Sequence, residues 1–152
     1  GEGDKKFSTM AASKAGDKPA LSARHVAFVG LRSIDEPEMH QIVKHKIKTY
    51  TNGDLDQFGL KRSFTESLAH ISKGTKARFL SLDLDAIDPA FAPGVGTAVP
   101  GGLDELELLS VLKTAGKKAD FDVIEITEYN PSLDRGQRTA KLVGKILSAL
   151  LV

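Results

Sequence analysis

Three aspartates, Asp83, Asp85 and Asp88, fall within six residues of one another in the run SLDLDAIDPAFAPGVGTAVPGG, residues 81–102. Side chains at i and i+2 of a strand share a face, so Asp83 and Asp85 project side by side if the strand persists that far. Two adjacent carboxylates repel, and one is pushed towards protonation unless a cation sits between them. A hard divalent ion with oxygen ligands is the natural cation. The structural alternative is a solvated acidic turn in which Asp88 caps a helix or fixes the Asp-Pro turn. The D-x-D spacing alone leaves both readings open.

The elements that must position these aspartates follow from periodicity. Residues 1–22 are rich in Gly, Lys, Asp, Ser and Ala and lack a period, so the expectation is a loop or mobile tail, with the folded domain over 23–152. Short apolar runs predict strands over 25–30, 47–51, 77–84 and 121–128. Helical spacing predicts helices over 38–45, 60–72, 103–117 and 135–151. On the 103–117 helix, Leu106, Leu109, Val111 and Leu112 fall near one face. Asn52-Gly53 reads as a turn, with Asp54 capping a short helical turn towards Phe58. Strands alternating with helices argue for an α/β layer structure with a mainly parallel sheet. Sites in such sheets form at the carboxyl ends of the strands. Asp35, the Asp83/Asp85 pair and Glu128 all follow predicted strand ends, so three acidic features converge on one edge.

Bulk properties exclude several classes. The 152 residues suit one domain or part of a larger one, and 41% hydrophobic content suffices for a core. A formal net charge of +1 gives no bias towards nucleic acid or a membrane surface. Lys44, Lys46 and Lys48 alternate with apolar residues, as on the wet face of a strand. With no cysteine there is no disulfide, zinc-thiolate site or thiol nucleophile. No apolar run approaches the roughly 20 residues needed to span a bilayer, and the cytoplasm is the expected location. The chain opens on Gly1 rather than Met, which suggests a fragment or a processed chain.

Residues 81–103 resemble the second metal-binding signature of the ureohydrolases, the family of arginase and agmatinase, S-x-D-x-D-x-x-D-P-x-x-x-P-G-x-G-T-P-x-x-G-G. Two further stretches agree in order: GLRSIDEPEMH from Gly30 to His40 is similar to the arginase segment G-L-R-D-x-D-x-x-E, and EITEYNPSLD from Glu125 to Asp134 is similar to the E-x-N-P segment. The resemblance covers about residues 25–150. It implies the carboxyl-terminal portion of a three-layer arginase-like α/β fold. It also implies a pair of Mn2+ ions holding a hydroxide that attacks a guanidinium carbon, releasing urea and an amine. By resemblance Asp83 bridges both ions and Asp85 binds one. Glu128 faces the guanidinium, where a carboxylate can pair with a planar cation in bidentate fashion. Asp35 and Glu38 receive the α-amino end of a substrate, Thr97 lies by its α-carboxylate end, and Asp88 is structural.

The departures from the family pattern matter equally. The family's amino-terminal half carries further ligands in G-G-D-H and D-A-H-x-D stretches, and neither occurs here. His25, His40, His45 and His70 lie in other contexts and read as surface or packing residues. Ser33 stands for the first aspartate of G-L-R-D, Ala98 for the proline of G-T-P, and Leu106-Glu107 where an Arg-Glu trimer contact is usual. The implied partners are therefore a guanidino small molecule, and either further copies of the chain or a complementing amino-terminal half that covers an exposed sheet edge. L-Arginine is the implied substrate, agmatine or another guanidino compound an alternative. A degenerate, non-catalytic subunit is the alternative outside enzymology.

Overall fold

The computed structural model describes residues 21–151. The expected tail lies almost wholly outside them. After a 3-10 turn at Ala23–His25, the chain forms β1 (Ala27–Leu31), α1 (Glu36–His45), β2 (Lys48–Thr51), α2 (Asn52–Phe58) and α3 (Leu60–Ile71). Next come β3 (Phe79–Asp83), a 3-10 turn at Leu84–Ala86, a long loop and α4 (Glu105–Val111). A π-helical turn at Leu112–Gly116 runs into the short α5 (Lys117–Ala119). It is followed by β4 (Val123–Thr127), a 3-10 turn at Arg135–Gln137 and α6 (Arg138–Leu151).

The strands are parallel throughout, as expected of an α/β fold, but they form two pairs rather than one sheet. β1 lies beside β2 in the register Ala27↔Lys48 to Val29↔Tyr50, with an irregularity before Leu31↔Thr51. Gly30 occupies that irregularity at φ +83°, a left-handed conformation that glycine adopts without strain. β3 lies beside β4 in unbroken register from Phe79↔Val123 to Asp83↔Thr127. Among the described residues no strand joins the two pairs.

One face of the β3–β4 pair, carrying Leu80, Leu82, Ile124 and Ile126, packs onto the core of Leu84, Ile87, Leu108, Leu112, Leu142 and Ile146. α4 and α6 supply most of that core, and α6 does so through an apolar stripe at helical spacing. Leu103 extends the same core to Gly30, its Cδ2 lying 3.6 Å from where a Cβ there would stand.

Four local expectations are corrected. Asn52 and Gly53 are the first residues of α2, not a turn, because Thr51 is the N-cap and Asp54 closes a reciprocal capping box with it. The helix expected over 103–117 changes character at Leu112, where a π turn brings both Leu112 and Gly116 inward. A Cβ at Gly116 would stand 2.7 Å from Leu150 Cδ2, so glycine permits this close approach to α6. Leu106 is exposed while Leu108 takes the core position. Lys44, Lys46 and Lys48 do not share a strand face: Lys44 lies in the last turn of α1, Lys46 is its left-handed C-cap, and only Lys48 lies in β2, with its ammonium over the Tyr50 ring.

Candidate metal and substrate site

β3 ends in a turn made by its own aspartates. Asp83 Oδ1 accepts a hydrogen bond from the Asp85 amide at 2.8 Å and bends the chain into the 3-10 turn. Buried Leu84 and Ile87 anchor that turn in the core. Asp83 therefore stands exposed at the carboxyl end of the sheet, beside Thr127 of β4. Asp85 is half-buried, and its Oδ1 is buried without a hydrogen-bond partner. An orphaned buried oxygen of this kind costs about 1–3 kcal/mol unless something satisfies it.

Asp88 has the structural role expected of it. Its carboxylate accepts the amides of Ala90 (2.8 Å), Gly101 (2.7 Å) and Gly102 (3.3 Å), closing the loop that separates them. These backbone donors, first Ala90 and Gly101, hold its carboxyl below the usual carboxylate range against the opposing effect of burial, and the Arg32 charge adds to the shift. The loop ends in a bridge between Ile87 and Leu103. There a Cβ on Gly102 would stand 2.4 Å from the Asp88 nitrogen, so only glycine fits. Thr97 lies exposed within this loop.

Two clamps on the loop were not identified from sequence. The Arg32 guanidinium, one residue past β1, donates to the backbone oxygens of Asp85, Val99 and Pro100. Its planar fork of donors suits three converging carbonyls, and it ties the end of β1 to the end of β3 and to the loop. The second clamp is buried. The Gly94 amide donates to Thr139 Oγ1 at 2.7 Å, and the Asn130 amide donates to the Gly94 oxygen at 2.8 Å. Asp134 accepts the amides of Thr139 and Ala140 at the start of α6, and the Tyr129 hydroxyl donates to it. Burial pushes the Asp134 carboxyl up, but these donors together outweigh it and hold the group below its ordinary value. The only signals in the sequence were G-L-R and the polar run after Asn130-Pro131.

Glu128 is exposed directly past β4 at φ +65°. A non-glycine residue in the left-handed region costs about 1–2 kcal/mol, and such strain clusters at functional sites. Asp35 and Glu38 are engaged with each other through the backbone. The Asp35 carboxylate accepts the Glu38 amide at 2.8 Å, and the Glu38 carboxylate accepts the Asp35 amide at 3.1 Å. This capping box starts α1, with Pro37 in its first turn. Both side chains keep further acceptor capacity.

Four of the predicted residues thus lie on one linked edge: Asp83 and Asp85 on the β3 turn, Thr97 on the clamped loop and Glu128 past β4. Asp35 and Glu38 follow β1, which Arg32 joins to that edge. His40 and His45 are exposed, and His25 and His70 are half-buried. Among the described residues no group of three or more His, Cys, Asp or Glu side chains could hold a metal ion. Asp83 and Asp85 stand together at the β3 turn, and the buried Asp85 Oδ1 has no hydrogen-bond partner.

The model of the arginase family matches residues 2–152. The chain belongs to the arginase family. It is 36% identical over 135 residues to the arginase of Bacillus caldovelox, across 89% of this chain and 45% of the relative. The structure of that arginase superposes with a TM-score of 0.83. Arginase from Bacillus subtilis gives a TM-score of 0.88 at 31% identity, covering 99% of this chain and 55% of its own. Formimidoylglutamase from Bacillus subtilis gives 0.80 at 28% identity, covering 86% and 41%. The chain spans about half the length of the curated relatives it matches, and the match lies in their carboxyl-terminal part. No helix among the described residues is long and apolar enough to cross a membrane.

Proposed function

We propose that this chain carries the carboxyl-terminal half of a ureohydrolase site whose complete form hydrolyses L-arginine to L-ornithine and urea with two manganese ions. The observation that carries the reading is the β3 end, where Asp83 and an Asp85 oxygen without a protein partner lie beside the Glu128 strand end in an arginase-family chain. When bound, manganese lowers the pKa of water from about 15.7 towards 7 and so supplies the nucleophile near neutral pH. Asp83 and Asp85 would hold the metal, and the hydrogen bond from the Asp85 amide to the Asp83 carboxylate fixes their relative placement. Glu128 pairs with the planar guanidinium. Thr97 receives the α-carboxylate, on a loop whose position Asp88, Arg32 and Thr139 hold. Asp35 and Glu38 receive the α-amino group with the acceptor capacity that their capping bonds leave.

The site needs ligands beyond these two aspartates, so the chain alone binds manganese weakly and turns over no arginine. The test is urea release from arginine and agmatine with Mn2+, alongside manganese titration of wild type and Asp83→Ala. Turnover by the purified 152-residue chain would overturn the half-site reading, and identical isotherms would remove Asp83 as a ligand. Ser33 and Ala98, standing where the family pattern carries an aspartate and a proline, favour a second reading, a non-catalytic family subunit. Arginine turnover by a complemented complex would exclude it. The relatedness to formimidoylglutamase keeps other amidino substrates within the same assay.

A further inference from the structure

We infer that the groove between α3 and the π turn is a binding site for a small organic phosphate, a phosphate group carried on an apolar body. The groove is open, with a volume of about 700 Å3, and Lys61, Arg78 and Lys118 line it together with apolar Leu68 and Ala115. No carboxylate is among its lining residues, and none of the three cations forms an ion pair among the described residues. Arg78 is half-buried and fixed by neutral acceptors. Its Nε donates to Ser72 Oγ at 3.0 Å and its Nη1 to the Ala119 oxygen at 2.6 Å. The Asp122 carboxylate accepts the Arg78 backbone amide at 2.7 Å. A guanidinium has five N–H donors, so three remain for a ligand. The Ser72 hydroxyl donates to no described group and adds another.

A cation held in place without a counter-charge has already lost its conformational freedom, so an anion binds it at lower entropic cost. A planar fork flanked by two point charges suits the several oxygens and nearly two charges of a phosphate more than a lone carboxylate. The carbonyls that would repel an anion at this end of α3 are engaged: the Leu68 oxygen accepts the Ser72 amide, and the Ile71 oxygen accepts the Thr75 hydroxyl. The opposite wall is the π turn, which contributes Thr114 and Ala115. Such turns are rare and frequently mark functional sites. The neighbouring groove between α4 and α6 differs, because its lysines are partnered: Lys145 pairs with Glu105 at 2.6 Å, and Lys141 donates to the Gly136 oxygen. Arg78 precedes β3, whose other end is Asp83. At about 3.3 Å per residue the two lie roughly 16 Å apart. The inference therefore rests on neither the metal nor the reaction proposed above.

The test titrates the metal-free 152-residue chain with phenyl phosphate, inorganic phosphate or benzoate, with sodium chloride keeping ionic strength constant. Calorimetry reads affinity, and amide NMR reads position. Phenyl phosphate should bind one-to-one and saturably shift the amides of Ser72, Arg78 and Thr114. Its affinity should exceed that of inorganic phosphate and of benzoate by at least about fivefold, from the apolar area it buries and its second charge. Arg78→Gln should weaken it at least about tenfold, as should Lys61→Gln with Lys118→Gln. Lys113→Gln, in the neighbouring groove, should leave it unchanged. Circular dichroism checks each fold, and the exposed lysine pair decides if Arg78→Gln unfolds. The absence of saturable shifts overturns the proposal, as do shifts that sodium chloride alone reproduces or binding indifferent to these substitutions. Benzoate or inorganic phosphate binding as tightly as phenyl phosphate overturns the organic-phosphate assignment.

Discussion

Thr139→Val isolates the buried clamp between the 88–102 loop and α6. Thr139 is fully buried, and its Oγ1 accepts the Gly94 amide at 2.7 Å. Valine fills nearly the same volume but removes the acceptor, leaving a buried N–H unsatisfied at a cost of about 1–3 kcal/mol. It also removes the Thr139 hydroxyl from Asp134, one of the contacts that hold that carboxyl low. Thr139→Ser keeps the hydroxyl and loses one methyl group, worth about 0.8 kcal/mol. For a chain of this size each kcal/mol moves Tm by roughly 2–4 °C. Valine should therefore lower Tm by about 2–12 °C and serine by about 2–3 °C, measured by far-UV circular dichroism with a denaturant titration in parallel. Amide exchange at Gly94 should rise in the valine variant and stay near wild type in the serine one. A serine variant as unstable as the valine one would refute the reasoning, because packing rather than the hydrogen bond would then be what the site requires.

Two further predictions concern the same loop. Gly102→Ala forces a Cβ to 2.4 Å from the Asp88 nitrogen and 2.5 Å from the Ile87 carbonyl carbon, both backbone atoms that cannot swing away. It should cost about 1–3 kcal/mol or more, read as a lower denaturation midpoint, and a wild-type midpoint would show that the loop closure yields freely. Asp88→Asn tests the depressed carboxyl. A group whose folded pKa lies below its unfolded value near 3.8 adds stability above that value and loses it as pH falls through the folded pKa. The Tm gap between wild type and Asp88→Asn should therefore be widest near neutral pH and close below about pH 4. A gap that stays constant into acid would remove Asp88 as the cause.

The elements legible in the sequence were those whose signal is local. The strands around Phe79 and Val123, the α6 stripe and the Asp88 turn all appeared from periodicity or from the Asp-Pro context. What failed was set by contacts distant in sequence or by competing caps. Asn52-Gly53 looked like a turn, yet Thr51 one residue earlier offers a better N-cap, and the helix starts there. The π turn at Leu112–Gly116 brings Gly116 close to Leu150 of α6, a contact that no window over 103–117 contains. The Arg32 clamp could not be seen locally because its acceptors lie 53 to 68 residues away. The site residues were legible as types and spacing; the clamps that hold them were not.

The same carboxylates answer to two demands, and the structure separates them by their hydrogen bonds. Asp88 receives three backbone amides and Asp134 two, and their depressed pKa values record this. Such a carboxylate is spent on folding and has little left for a ligand. Asp83 receives a single amide, the one that makes its own turn, and Asp85 keeps a buried oxygen with no partner. Folding alone leaves that oxygen as a loss, which the burial of Leu84 and Ile87 in the same turn helps to offset. A cation that satisfies Asp85 would recover the loss and thereby add to the stability of the fold it binds. The distribution of backbone donors among these aspartates, more than their number, separates Asp88 and Asp134, which hold the loop in place, from Asp83 and Asp85, whose carboxylates the fold leaves less engaged.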